Sequence, residues 1–104
     1  FAMDSDRRES TRGSLYTEVK YEGAGIRAET RISDISLSGV FIDTLSPLPA
    51  GAVLSLSFTL PGGQRVVTQG VVMHSQPRIG MGVSFTNLKP EDAKLIQEAI
   101  EAQR

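Results

Sequence analysis

Residues 53–74 read VLSLSFTLPGGQRVVTQGVVMH and predict two β-strands joined by a tight turn. Apolar residues alternate with serine and threonine from Val53 to Leu60, which is the period-2 pattern of a strand with one buried face. The segment PGGQ at 61–64 supplies the turn, and the valines that follow it predict a returning strand over 65–74. The stretch therefore indicates an antiparallel hairpin within a β-rich fold.

The same alternation occurs on both sides of this hairpin. A polar segment at 33–39 predicts a loop, and the prolines at 47 and 49 with Gly51 predict a break in regular structure. Each remaining strand is short and ends at a turn signal. The further predicted strands are 15–21, 26–32, 40–42 and 81–85.

The hydrophobic period becomes helical only at the C terminus. Pro90 suits the first position of a helix, and Glu91 and Asp92 suit its first turn, where the helix dipole favours negative charge. An amphipathic helix is therefore predicted over 90–103. Six strands followed by one helix predict an all-β dominated fold, a small six-stranded antiparallel β-barrel with one C-terminal α-helix packed against it.

The composition limits the class of protein. The chain has 104 residues, a formal net charge of −1, 39% hydrophobic residues and no cysteine. These values fit one globular domain and exclude a disulfide framework and a thiolate metal site. No apolar run approaches the roughly 20 residues of a membrane span, and no secretory signal is visible. A cytoplasmic location is therefore expected.

The sequence contains no recognisable arrangement of catalytic residues. His74 is the only histidine, and no nucleophile or carboxylate is placed to form a triad with it. The glycines around Met81 do not form a dinucleotide fingerprint, because no third glycine and no helix follow them. We therefore expect no enzyme activity, no catalytic residue, no metal site and no cofactor.

Two polar motifs remain, and their residue types suit a small anionic ligand. The segment RESTR at 8–12 is an R-x-x-x-R, preceded by Arg7, and DISLSG at 34–39 is a D-x-S-x-x-G between two predicted strands. Guanidinium groups bind phosphate in bidentate fashion, so these arginines suit an anion.

Together these motifs resemble the signature of the PilZ domain, a family of bacterial cyclic di-GMP receptors. The segment GMGVSF at 80–85 and the predicted helix follow in the family's order, so the resemblance covers nearly the whole chain. It implies that the arginines contact phosphates and guanine edges, that Asp34 and Ser36 read the base, and that Gly39 permits a tight turn or close approach to the ligand. The ligand-binding residues so implied are Arg7, Arg8, Arg12, Asp34, Ser36 and Gly39.

The resemblance also implies a division of the chain and a mechanism. Residues 1–13 form a lead-in and basic arm, expected to be mobile without ligand, and residues 14–104 form the barrel domain. Cyclic di-GMP would fold the arm across the barrel mouth and pass a signal to an unidentified protein partner in motility, exopolysaccharide synthesis or a related output. Many family members carry a bulky or cationic side chain near the ligand, where this chain has Met73, His74 and Arg78.

Two alternative functions stay open at this point. The first is a PilZ-like adaptor that binds a protein but no nucleotide. The second is a small barrel that binds oligonucleotides, although a net charge of −1 disfavours a nucleic acid polymer as partner. The acidic polar face predicted for the C-terminal helix likewise disfavours a membrane surface.

Overall fold

The computed structural model describes the backbone of residues 12–13 and the whole of residues 17–102. Within this part of the chain it contains seven strands and one helix. In chain order they are β1 (Arg12–Gly13), β2 (Thr17–Gly23), β3 (Ile26–Ser36), β4 (Gly39–Asp43), β5 (Val53–Thr59), β6 (Arg65–Gln76), β7 (Gly80–Thr86) and α1 (Pro90–Ala102).

Strands β2 to β7 form a closed antiparallel ring in the order β3-β2-β5-β6-β7-β4, because β4 pairs with β3 as well as with β7. The 11-residue strand β3 pairs with both β2 and β4. It pairs with β2 as far as Ile32 and with β4 from Arg31 to Ile35, with an irregularity between Ile32 and Asp34. The predicted six-stranded barrel with a C-terminal helix is confirmed, and the two-residue β1 adds to it beside β3.

The core is aliphatic and lies inside the ring. The strands alternate, so that Ile32, Ile42 and Val66 are fully shielded from solvent while their sequence neighbours face outward. The core also contains the aromatic ring of Phe58, which stacks on the ring of Phe85 with 6.4 Å between the ring centroids. Because successive side chains of a strand point to opposite faces, the remaining side chains point outward and form the outer wall of the barrel.

The helix α1 begins at Pro90, as the sequence predicts, and supplies two fully buried residues to the core. Ile96 and Ile100 are 0% and 2% exposed, and the helix contacts β3. Glu91 and Asp92 occupy its first turn. In the part of the chain that the structure describes, no helix has both the length and the apolar character needed to cross a bilayer.

The prediction of a polar loop over 33–39 is wrong in extent. The strand β3 continues through Ser36, and only Leu37 and Ser38 separate it from β4. Asp34 and Ser36 are half-buried residues on a paired strand, and Ile35 between them is 1% exposed in the core. Polar residues on the outer face of a strand therefore produced a composition that is also typical of a loop.

Candidate ligand-binding site

An open depression of about 530 Å³ lies on the outer wall of the barrel, where β3, β4, β7 and β6 are neighbours. The side chains of Ile35, Val40 and Val83 point into the core at 1–5% exposure, so the residues between them form the lining. We refer to this surface as the wall depression. Its outward-facing residues are Asp34, Ser36, Ser38, Gly39, Phe41, Met73, His74, Gly82 and Ser84.

The strand register aligns most of this lining in one row across the wall. Asp34 faces Phe41, Phe41 faces Gly82, and Gly82 faces His74. The next row runs beside it, with Gly39 facing Ser84 and the backbone of Arg12 facing Ser36. The register therefore brings Asp34, Ser36 and Gly39 of the D-x-S-x-x-G motif onto one surface, with β1 at its edge.

The hydroxyl of Ser36 shapes the turn between β3 and β4. Its Oγ accepts a hydrogen bond from the backbone N–H of Ser38 at 3.2 Å and lies 2.9 Å from the Oγ of Ser38. It also donates weakly to the carbonyl of Gly39 at 3.5 Å. Such a local serine turn is the structural role that this motif has even without a ligand.

Gly39 is needed because two backbones approach closely at this position. A Cβ placed on Gly39 would collide with the carbonyl oxygen of Val83 on the neighbouring strand β7. Gly39 has no positive φ, so the close approach of β7, and not a left-handed turn, requires a glycine here. The backbones brought together in this way help to form the floor of the wall depression. A close approach of the ligand to Gly39 stays a prediction.

Replacing Gly39 with alanine should lower the free energy of unfolding by about 1–3 kcal/mol, because the β4–β7 pairing must shift to relieve the collision. Thermal unfolding followed by circular dichroism measures this loss. Gly62→Ala is the matched control, since a Cβ there would meet only the flexible side chain of Gln64. Equal melting temperatures for the two variants would contradict the assignment.

The described lining of the wall depression lacks the positive charge that an anionic ligand needs. Among the described lining residues there is one carboxylate, Asp34, and one imidazole, His74, but no lysine or arginine. The described residues also contain no cluster of histidine and acidic side chains that could hold a metal ion. Any cation that neutralises a bound phosphate must therefore come from beside the depression, where the backbone of Arg12 lies. Arg7 and Arg8 lie outside the described residues.

The sequence-based interpretation missed Phe41. Val40 and Ile42 are the buried residues of β4, and Phe41 between them is a half-buried part of the lining. Three consecutive apolar residues leave the phase of a short strand undetermined, so no period in the sequence could have identified it.

Comparison with protein families gives one match that spans nearly the whole chain. The profile of the PilZ domain matches residues 6–102, a range that contains both the R-x-x-x-R and the D-x-S-x-x-G motifs. No curated protein sequence matches the chain significantly.

Solved structures with the same fold share little sequence with this chain. MotI, the inhibitor of motility from Bacillus subtilis, gives a TM-score of 0.78 at 18% identity, and the match covers 94% of this chain and 51% of MotI. The PilZ domain of CeSA from a cellulose-synthesizing bacterium gives 0.67 at 13%, covering 90% and 98%. PlzA of Borreliella burgdorferi, solved in complex with cyclic di-GMP, gives 0.62 at 15%, covering 91% and 41%. This chain thus spans about half the length of MotI.

Proposed function

This chain belongs to the PilZ domain family, and from that membership and the wall depression we propose that it is a receptor for cyclic di-GMP. The observation that carries the proposal is the meeting of Asp34, Ser36 and Gly39 on one surface with the backbone of Arg12 at its edge. PlzA, which has the same fold, was solved with this nucleotide bound.

The chemistry of the ligand fits the two parts of the site. Cyclic di-GMP carries two phosphates, and the described lining of the wall depression provides no lysine or arginine to neutralise them. We therefore assign that task to Arg7, Arg8 and Arg12, whose guanidinium groups are permanently charged and bind phosphate or guanine edges in bidentate fashion. Asp34 then accepts hydrogen bonds from the guanine N1–H and N2–H groups.

The proposed mechanism is a binding switch. A dianionic nucleotide held between the arginines of residues 7–12 and the wall draws those residues against β3 and β4. The surface offered to a protein partner then changes, and the free energy for this change comes from the difference in ligand affinity between the two arrangements. No reaction is involved, and a cytoplasmic location stays a prediction.

Isothermal titration with cyclic di-GMP tests the proposal. We expect saturable binding to the wild-type chain, weaker binding of cyclic di-AMP, and a stoichiometry of one molecule or an intercalated pair. Absence of binding by a sample with a cooperative thermal transition would reject the receptor. It would leave the adaptor that recognises a protein without nucleotide.

Asp34→Ala should weaken binding of cyclic di-GMP about tenfold, which is the lower end of the range for one base-reading contact because Asp34 is only half-buried. Binding of cyclic di-AMP should change less, so the two dissociation constants should become more similar. Asp34→Asn is the control that keeps the shape and removes the charge. An equal loss of affinity for both nucleotides would show that Asp34 does not read the base.

A further inference from the structure

The imidazole of His74 forms part of the floor of the wall depression. His74 faces Gly82 in the β6–β7 register, and a Cβ placed on Gly82 would lie only 2.6 Å from Nε2 and 2.7 Å from Cε1 of the ring. The ring therefore lies directly over the backbone of β7, and a residue larger than glycine at 82 would push it away. The same row continues through Phe41 to Asp34.

A β-bulge brings this ring to the outer wall. Along β6 the even-numbered residues from Val66 to Val72 are buried, so an unbroken alternation would turn His74 into the core. The register instead shifts between Val72 and His74, which makes Met73 the extra residue and leaves both Met73 and His74 exposed. Bulges commonly re-aim side chains in this way next to functional sites.

The imidazole is available to a ligand. His74 is exposed, lines the wall depression and is the only histidine of the sequence. The one charged group that faces it from β3 is Asp34, and the lining residues on β4 and β7 are uncharged. The carboxylate lies at the other end of the row, separated from His74 by Phe41 and Gly82.

We propose that His74 contacts the bound nucleotide and makes its affinity depend on pH, an inference that rests on the proposed function. Imidazole is the side chain that ordinarily changes charge between pH 5 and 8. An imidazolium donates from both nitrogens to a phosphate or to the O6/N7 edge of guanine. An imidazolium therefore binds an anionic ligand more tightly than the neutral ring does, so the added affinity is full at low pH and is lost as the ring loses its proton.

The test is titration calorimetry with cyclic di-GMP at pH 6, 7 and 8 and constant ionic strength. We expect the affinity of the wild-type chain to fall about three- to tenfold from pH 6 to pH 8, because carboxyl groups and arginines do not change charge in this range. His74→Gln should abolish this slope. The matched control adds Gln69→His to that variant, which restores a histidine at an exposed position on β6 outside the depression and should not restore the slope.

Proton NMR gives a second readout that does not depend on affinity. A single histidine gives a single imidazole Hε1 resonance, so its pKa can be followed with and without cyclic di-GMP. A rise of the pKa on binding supports the contact. Saturable binding with a flat pH profile and an unmoved resonance overturns this inference alone, whereas absence of binding at every pH overturns the proposed function and this inference with it.

Discussion

Ile96→Ala is expected to lower the free energy of unfolding by about 2–5 kcal/mol, because it removes a fully buried side chain and leaves a cavity between α1 and the barrel. Affinity for cyclic di-GMP should stay within about twofold of the wild type at temperatures where the variant is folded. The reason is that the wall depression is lined by β3, β4, β6 and β7 and takes no residue from α1.

Thermal unfolding and a control variant on the same helix check this separation of stability from binding. Thermal unfolding should show a melting temperature lower by roughly 8 °C or more, as 2 kcal/mol implies for a domain of this size. Gln97→Ala is the control on the same helix, where an exposed side chain bonds only to Glu101 at 3.4 Å, and it should change stability by less than about 0.5 kcal/mol. A loss of affinity in folded Ile96→Ala would mean that the helix supports the site directly.

Arg12→Ala is expected to weaken binding of cyclic di-GMP about 10- to 150-fold, equivalent to roughly 1.5–3 kcal/mol for a lost charged hydrogen bond. The backbone of Arg12 lies opposite Ser36 at the edge of a depression whose described lining has no guanidinium or ammonium group. The proposed function therefore assigns the ligand's phosphates to this part of the chain. The sequence predicts a similar loss for Arg8→Ala.

Titration calorimetry measures the loss, and two variants make the result specific. Arg65→Ala removes an exposed arginine on β6 outside the wall depression and should leave the affinity within about twofold. Arg12→Lys keeps the charge but loses the planar fork, so its affinity should be intermediate. If Arg12→Ala and Arg65→Ala bound equally well, the arginine would not belong to the site.

The fold was largely predictable because its signals are local. The hairpin over 53–74 and the start of the helix at Pro90 each follow from a periodic pattern bounded by a turn or capping residue. The pairing of β4 with β7 has no such signal, since these strands are separated along the chain by β5 and β6. That pairing determines which residues share the wall with Asp34.

The candidate site was predicted only in part for the same reason. The motif supplied Asp34, Ser36 and Gly39, but neither Gly82 nor Ser84 could be placed beside them without the register. The exposure of His74 depends on a single extra residue in β6, and no pattern in the sequence places that residue at Met73. Register and bulges are set by tertiary packing rather than by local preference.

The wall depression joins parts of the chain that are far apart in sequence. Asp34 and Phe41 belong to one hairpin, whereas Gly82 and His74 lie on β7 and β6, beyond the intervening β5. Contacts between distant parts of a chain form more slowly than local ones. A nucleotide that needs both halves of the wall therefore binds only the finished barrel. Under the proposed function, cyclic di-GMP would therefore also stabilise the completed ring, because it binds the folded chain and not the unfolded one.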